Sequence, residues 1–303
     1  MTVTRPNFFI VGAPKCGTTA MDSYLKQHPS VFMSERKEPH FFAKDLNFRR
    51  DSWYVSDQDE YLSLFSEAGN ARRVGESSVW YLYSRQASTE IKAFCPDASI
   101  IVMLRNPVDM LYSQHSQFLY NGNEDITDFK EALEAEPERK QGRRVPPNAH
   151  LLEGLFYRET ARYSEQVERY FDCFGRDNVH VIIFDNFATD TATVYRDTLR
   201  FLGVDADFRP DFAVVNPNKT ARSRILQYFL LAPPQSARRF ARAVLPRALR
   251  RRVFRVLKQA NTNETPRTEL DPQLRRTLQA EFAPEVESLS KLLGRDLTHW
   301  LKD

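Results

Sequence analysis

Cysteine is scarce in this chain. Its three thiols, Cys16, Cys95 and Cys173, lie far apart and show neither metal-ligand nor disulfide-type spacing. That argues against a disulfide-stapled fold and a thiolate metal centre, and it fits a reducing compartment. No apolar run is long enough to cross a bilayer. The opening MTVTRPN lacks a basic region followed by a long apolar core and a small-residue cleavage site. A cytoplasmic protein is the expectation. No segment repeats, and no recognised nucleic-acid module accompanies the arginines, so no nucleic-acid partner is expected. One more absence is local. From Arg222 to Lys258 there is no Asp or Glu, against eleven Lys and Arg; with a net charge of +3, the rest of the chain carries −8.

What is present suits one large core. The 303 residues are 42% hydrophobic and 27% charged, and nothing reads as a domain linker, so residues 1–303 are expected to form a single domain. Short apolar runs without alternation, NFFIVG (Asn7 to Gly12), ASIIVMLR (Ala98 to Arg105) and NVHVIIFD (Asn178 to Asp185), read as buried parallel strands, with RRVGES (Arg72 to Ser77) a weaker fourth. Helical patterns lie between them. Thr18 to His28 stops at Pro29, and Asn106 with Pro107 caps a helix through VDMLYSQHSQFLYN. TDFKEALEAE and ETARYSEQVERYFDCFG are amphipathic, the second ending at Gly175. The polar, Pro-containing run EPERKQGRRVPPN (Glu136 to Asn148) reads as a surface loop. The pattern implies an α/β fold of three layers, a central parallel β-sheet flanked by helices.

FFIVGAPKCGTTAMDSYLKQHP (Phe8 to Pro29) looks like a phosphate-binding loop with its lysine displaced. A nucleotide triphosphatase carries lysine directly before the hydroxyl residue. Here Gly17 precedes Thr18 and Thr19, and the loop's lysine is Lys15. A strand–turn–helix aims several N–H groups and the helix dipole at one point. Lys15 adds a full charge, and Thr18 and Thr19 add hydroxyl donors. The arrangement suits an anion held without a magnesium clamp. Cys16, at the helix start, is either a favoured thiolate or a small residue in a tight loop.

Two further constellations stand out. In MLRNPVDMLYSQH (Met103 to His115), Arg105 follows a buried strand and Ser113 lies two turns into the next helix. Ligands of open α/β sheets bind at the carboxyl ends of strands, so Arg105 and Ser113 are candidates for a second phosphate. Two anion sites on one sheet edge suggest a nucleoside with phosphates at both ends. In ERKEPHFF (Glu35 to Phe42), Glu38 and His40 are candidates to take a proton from an attacking hydroxyl or amine. Phe41 and Phe42 would exclude water and raise the carboxylate's basicity. His115 is either acceptor-facing or packed, and Trp53, Trp80 and Tyr81 either line an acceptor cleft or fill the core.

In this order the three pieces resemble the sulfotransferases that use 3′-phosphoadenosine 5′-phosphosulfate (PAPS). The nearest branch is the one with the heparan sulfate N- and O-sulfotransferases and their bacterial relatives. FFIVGAPKCGTT is similar to the family's 5′-phosphosulfate loop, LRNPVDMLYS to its 3′-phosphate motif, and KEPHFF to the segment holding its glutamate base. FAPEVESLSKLLGRDLTHW (Phe282 to Trp300) also resembles the bacterial members. The resemblance implies a P-loop-like fold and transfer of a sulfuryl group from PAPS to a hydroxyl or amine, leaving 3′-phosphoadenosine 5′-phosphate (PAP), with no metal. It implies that Lys15 stabilises the leaving phosphate. Gly17, Thr18, Thr19 and Ala20, with Cys16 between them and Lys15, would form the 5′-phosphate cradle. Arg105 and Ser113 would bind the 3′-phosphate, and Glu38 would act as general base with His40 beside it. The chain departs from the pattern at Ser77 and Ala43, and NTNETPRTELDP (Asn261 to Pro272) keeps Pro266 and Arg267 but has no glycine. The acceptor stays open among sugar, lipid, polyketide and small molecule.

RRFARAVLPRALRRRVFRVLK (Arg238 to Lys258), within the basic segment 222–258, is amphipathic on both sides of Pro246: Phe240, Val244 and Leu245 precede the break, and Leu249, Val253, Phe254 and Leu257 follow it. Its readings are contact with an anionic membrane surface, binding of an acidic polymer, or a packed helix pair with solvated arginines. The rival functions are a P-loop kinase, which would need magnesium and a Walker lysine, and a non-catalytic binder of nucleotides or anionic polymers.

Overall fold

Five short apolar segments pair into one parallel sheet of order β2-β3-β1-β4-β5, made of β1 (Phe8–Gly12), β2 (Val31–Met33), β3 (Arg73–Ser77), β4 (Ser99–Leu104) and β5 (Val179–Ile183). The structure, a computed structural model, describes residues 4–49, 54–213, 219–231, 246–264 and 267–302. Trp53, the stretch from Arg238 to Leu245 with Phe240 and Val244, and Pro266 lie outside the described residues. Every residue of β1 and β4 is buried. Helices cover both faces of such a sheet, which is why these strands read as unbroken apolar runs. The edge strand β2 has three residues, too few to produce a pattern in the sequence.

The helices that position the site are α1 (Thr18–Leu25), α2 (Pro107–Asn121), α3 (Tyr163–Phe174) and α4 (Phe184–Thr189). Further on come α5 (Arg224–Leu231), α6 (Arg247–Ala260) and α7 (Pro272–Leu293). As expected, Asn106 caps α2, its side chain accepting from Val108 N at 3.0 Å with Pro107 in the first turn. Helix α3 ends at Gly175, whose φ of 76° suits glycine. The antiparallel pair β6 (Lys219–Ala221) and β7 (Thr262–Glu264) closes off the basic segment that carries α5 and α6.

Strand order fixes where a ligand can enter. β1 is flanked by β3 on one side and β4 on the other, so the chain leaves β1 in one direction and returns in the other. That switch opens a crevice at the carboxyl ends of β1, β3 and β4. Arg105 directly follows β4, and Glu76 and Ser77 end β3.

The run from Glu136 is not simply a surface loop. Glu136–Arg139 forms a helical turn and the Arg139 side chain is fully buried. Arg139 grips Glu124 with both nitrogens, at 2.7 and 2.6 Å, and Tyr157 donates to the same carboxylate at 2.8 Å. Bidentate pairing makes burial of the two charges tolerable. The positions that follow, Gln141 to Arg144, are exposed as expected.

Candidate active site

The loop after β1 is pinned before it reaches α1. Ala13 N donates to Met103 O of β4 at 2.7 Å, and Leu82 N donates to Val11 O at 2.8 Å. Gly17 has a φ of 89°, and a Cβ there would stand 3.2 Å from the Phe184 and Phe187 rings of α4. The positive φ favours glycine here, and a side chain would also press on the rings of α4. Gly17 caps α1 without a side-chain hydrogen bond. The N–H groups of Thr18 and Thr19 at the start of α1 have no carbonyl one turn earlier to pair with, which is the layout of an anion cradle, whereas Ala20 N already donates to Gly17 O at 3.0 Å. Thr18 is buried, while Thr19 and Ala20 are half-buried at the same end. The Cys16 thiol faces inward, donating to Pro14 O at 3.3 Å, and burial pushes its pKa up to about 12. The favoured-thiolate reading is overturned: what Cys16 can offer an anion is its backbone N–H.

Beside the cradle stands a group of cations. Lys15 Nζ donates to Gln117 Oε1 at 3.1 Å, and the Arg105 guanidinium lies over the Phe184 ring at 4.7 Å. Arg267 Nη2 donates to the buried Ser113 hydroxyl at 2.9 Å. Ser113 and Gln117 lie one turn apart on α2 and so share a face. Among the described residues, neither Lys15 nor Arg105 forms a salt bridge with a carboxylate. Burial, then the charge of Arg267, then that of Arg105 lower Lys15 to about 8, against the opposing pull of Glu38. Burial and Arg105 likewise lower Arg267. Cations that depress one another's pKa make a costly arrangement, and a polyanion would relieve it.

The base candidates sit on a loop strapped to the end of β3. Glu38 N donates to Ser77 O at 2.9 Å, and His40 N to the Ser78 hydroxyl at 3.1 Å. Lys37 Nζ donates to Glu38 Oε1 at 2.9 Å, and His40 Nε2 lies 3.7 Å from Glu38 Oε2. Burial pushes the Glu38 carboxyl up, but the Lys37 ammonium and the His40 imidazole outweigh it and hold Glu38 well below the usual carboxylate range. The expectation that Phe41 and Phe42 would raise its basicity is thus corrected. Both rings turn into the core, Phe41 stacked on Tyr61 at 4.3 Å and Phe42 against Phe9 and Phe94, and the adjacent lysine decides. Burial lowers the pKa of His40, which is stacked on Phe48 at 4.6 Å with its Nδ1 buried without a partner.

Backbone conformation singles out the same residues. Lys15, Glu38 and His40, with φ of 62°, 61° and 55°, are three of the four non-glycine residues with positive φ among those described, Arg144 being the fourth. Such conformations persist where the surroundings enforce them, and they concentrate at functional sites. The Glu38 charge raises the pKa of Lys15, so the cradle and the base loop lie within electrostatic reach of each other.

Other candidates lie elsewhere. His115 is buried, with Nε2 2.9 Å from Ile126 O and its ring against Phe129 at 5.2 Å, so it is packed rather than acceptor-facing. Tyr81 belongs to the main core, and Trp80 to a smaller cluster with Phe118 and Leu155. Three residues were not singled out in advance: Gln117, which holds Lys15; His150, which burial and then His40 lower to about 4; and Glu76, whose carboxylate underlies the base loop. Only Gln117 left a trace in the sequence, one turn after Ser113.

The model of the sulfotransferase family matches residues 6–208, a span that holds Lys15, Glu38, Arg105 and Ser113. The crystal structure of a sulfotransferase from Alicyclobacillus acidocaldarius is 34% identical with a TM-score of 0.75, covering 98% of this chain and 99% of that one. Carbohydrate sulfotransferase 15 of Mus musculus is 33% identical over 170 residues, 42% of this chain and 30% of that protein. The bifunctional heparan sulfate N-deacetylase/N-sulfotransferase 3 of Homo sapiens is 29% identical over 203 residues, 66% of this chain and 22% of that protein. The chain therefore spans less than a third of the length of these curated relatives.

Proposed function

We propose, from the premise that this chain belongs to the sulfotransferase family, that it transfers a sulfuryl group from PAPS to a hydroxyl or amine and releases PAP. The strongest support is the crowding of Lys15, Arg105 and Arg267 around an uncapped helix start, a set of charges that calls for a ligand with two separated anionic groups. In this reading the N–H groups of Gly17, Thr18 and Thr19 cradle the 5′-phosphate, with Ala20, whose N–H donates to Gly17 O, closing the turn behind them. Arg105, Ser113 and Arg267 hold the 3′-phosphate.

Catalysis then rests on alignment and charge. Glu38 takes the proton of the acceptor O–H or N–H. A carboxylate held far below the usual range is a weak base, but it suffices once bonding to sulfur has made the acceptor proton acidic. The donor contributes a sulfuryl group whose bond to the bridging oxygen breaks as the acceptor–sulfur bond forms, the electron pair leaving on the 5′-phosphate. Lys15 stabilises the charge that develops there, and His40 and Lys37 orient Glu38.

The test uses labelled PAPS with an amino sugar, a long-chain alcohol, a phenol and water as acceptors. Transfer to at least one, persisting with a chelator, is expected; phosphoryl transfer from ATP that needs magnesium would establish the kinase rival instead. Arg105→Ala is expected to weaken PAP affinity about 10- to 100-fold, the worth of one charged hydrogen bond, and to erase the preference for PAP over adenosine 5′-phosphate. Equal affinity of the variant and the wild type would refute the 3′-phosphate assignment.

A second observation concerns the basic segment. Leu249, Phe254, Val256 and Leu257 of α6 and Phe229 of α5 are exposed, in a stretch with eleven Lys and Arg and no acidic residue. No helix among the described residues is long and apolar enough to cross a membrane. We propose that this face rests on an anionic lipid surface. The protein is expected to co-sediment with phosphatidylglycerol vesicles and not with phosphatidylcholine vesicles, and Phe254→Asp with Leu257→Asp to abolish this. Equal partition to both vesicle types would rule the reading out.

A further inference from the structure

We propose that Glu76 is the positioning residue of the base loop: through two hydroxyl relays its carboxylate anchors the loop backbone at His40 and Phe42, and so sets where His40 and the neighbouring Glu38 stand. This rests on the reading of Glu38 as the base. Glu76 ends β3 and is 1% exposed. Its Oε2 accepts from the Ser78 hydroxyl at 2.8 Å, and that hydroxyl accepts from His40 N at 3.1 Å. Its Oε1 accepts from the Tyr81 hydroxyl at 2.8 Å, and that hydroxyl accepts from Phe42 N at 3.3 Å. Tyr61 donates to the same oxygen at 2.9 Å. One buried carboxylate thus anchors the loop backbone at two points. Glu38 N on Ser77 O gives a third attachment to the end of the same strand.

The geometry demands an acceptor at position 76. All three hydroxyls donate to the carboxylate, and Ser78 and Tyr81 must keep their lone pairs for the loop's N–H groups. A proton on Glu76 reverses this, because the acid must itself donate and one hydroxyl must turn away. The residues facing Glu76 are Asp22 of α1, Tyr61, Ser78, Tyr81 and Tyr170 of α3. Burial pushes its pKa up, the three hydroxyls pull it down, Asp22 pushes it up, and it settles at about 7. Asp22, raised to about 6 by burial, titrates close by. Site order and fold stability therefore respond to pH in opposite senses. With a folded pKa above the unfolded one, the folded state binds this proton more tightly. Glu76's contribution to stability is thus present in acid and lost as pH rises toward 7, while the loop is held correctly only above about 7.

The test compares wild type, Glu76→Gln and Ser78→Ala in transfer from labelled PAPS to the acceptor that turns over fastest, water included. Both variants are expected to bind PAP as wild type does and to lose about 10- to 100-fold in kcat, the usual cost of misplacing a catalytic group by about 1 Å. Wild type is expected to show an acid limb in kcat near pH 7, Ser78→Ala to keep the limb displaced to higher pH because one donor to the carboxylate is gone, and Glu76→Gln to lack it. A folded Glu76→Gln with wild-type kcat, or with the limb unmoved, overturns the proposal. Should Glu76→Gln fail to fold, Ser78→Ala and Tyr81→Phe cut the two relays and leave the charge in place; wild-type kcat in both is equally fatal. A Glu38→Gln enzyme that keeps wild-type turnover would instead overturn the base assignment, a different outcome from any of these.

Discussion

Glu38→Gln is expected to cut turnover by about 10²- to 10⁴-fold, the range for loss of a positioned general base, while PAP affinity stays level or improves. The second half of that expectation follows from charge. Glu38 faces Lys15 closely enough to influence its titration, so it also faces any anion that Lys15 holds. Removing a carboxylate from that position removes a repulsion. A non-catalytic binder would keep its function in this variant, and an enzyme that used His40 as base would keep most of its turnover. The His40 alternative has a physical basis, since His40 Nδ1 is buried without a partner. Against it stands the geometry of the other nitrogen, which lies 3.7 Å from Glu38, and the burial that lowers the ring's basicity. Rate measurements on Glu38→Gln and His40→Ala with labelled PAPS decide between them: collapse in the first with a smaller loss in the second is the expected pattern. The acid limb gives a second check. Glu38 is held ionised far below neutrality, so a limb near pH 7 belongs to another group.

Parts of this arrangement are legible in the chain and parts are not, for physical reasons. Lys15, Gly17, Arg105 and Ser113 stand at strand ends or in the first turns of helices, where a one-dimensional pattern already says which way the backbone points. The long central strands announce themselves because burial on both faces leaves an unbroken apolar run. β2 does not, with three residues. Arg139 is misread as solvated because its partner Glu124 stands fifteen positions earlier and only folding brings them together. The same holds for the Glu76 hub. Its three hydroxyls come from a helix, a turn and the residue just past the strand, and a lone glutamate at a strand end carries no sign of them. The desolvation argument for Glu38 failed for a related reason. It weighed the neighbouring phenylalanines and not Lys37, which the positive φ at Glu38 brings to 2.9 Å from the carboxylate. Sequence proximity identified the residues, but backbone conformation set the sign of the effect.

Lys15→Ala is expected to lower turnover by about 10²- to 10³-fold, the usual cost of deleting one donor that meets developing charge, and to weaken PAP binding less than Arg105→Ala does. In the proposed reading Lys15 acts on the bridging oxygen, where charge appears only as the donor breaks, whereas Arg105 meets a phosphate charged from the outset. The pH dependence should separate the two roles. Lys15 sits at about 8 in the free protein, because burial, Arg267 and Arg105 oppose its charge. Its ammonium is the useful form, so kcat/KM, which reports the free enzyme, should fall as pH rises through about 8. A bound polyanion reverses the causes that lower the pKa, so the limb in kcat should lie at higher pH than the limb in kcat/KM. Lys15→Arg stays charged throughout this range and should lose the limb from both profiles, even if its planar fork fits the turn poorly and its rate is low. The outcome that would remove Lys15 from the transfer step is an alkaline limb that survives unchanged in the residual activity of Lys15→Ala, because it would then belong to another group.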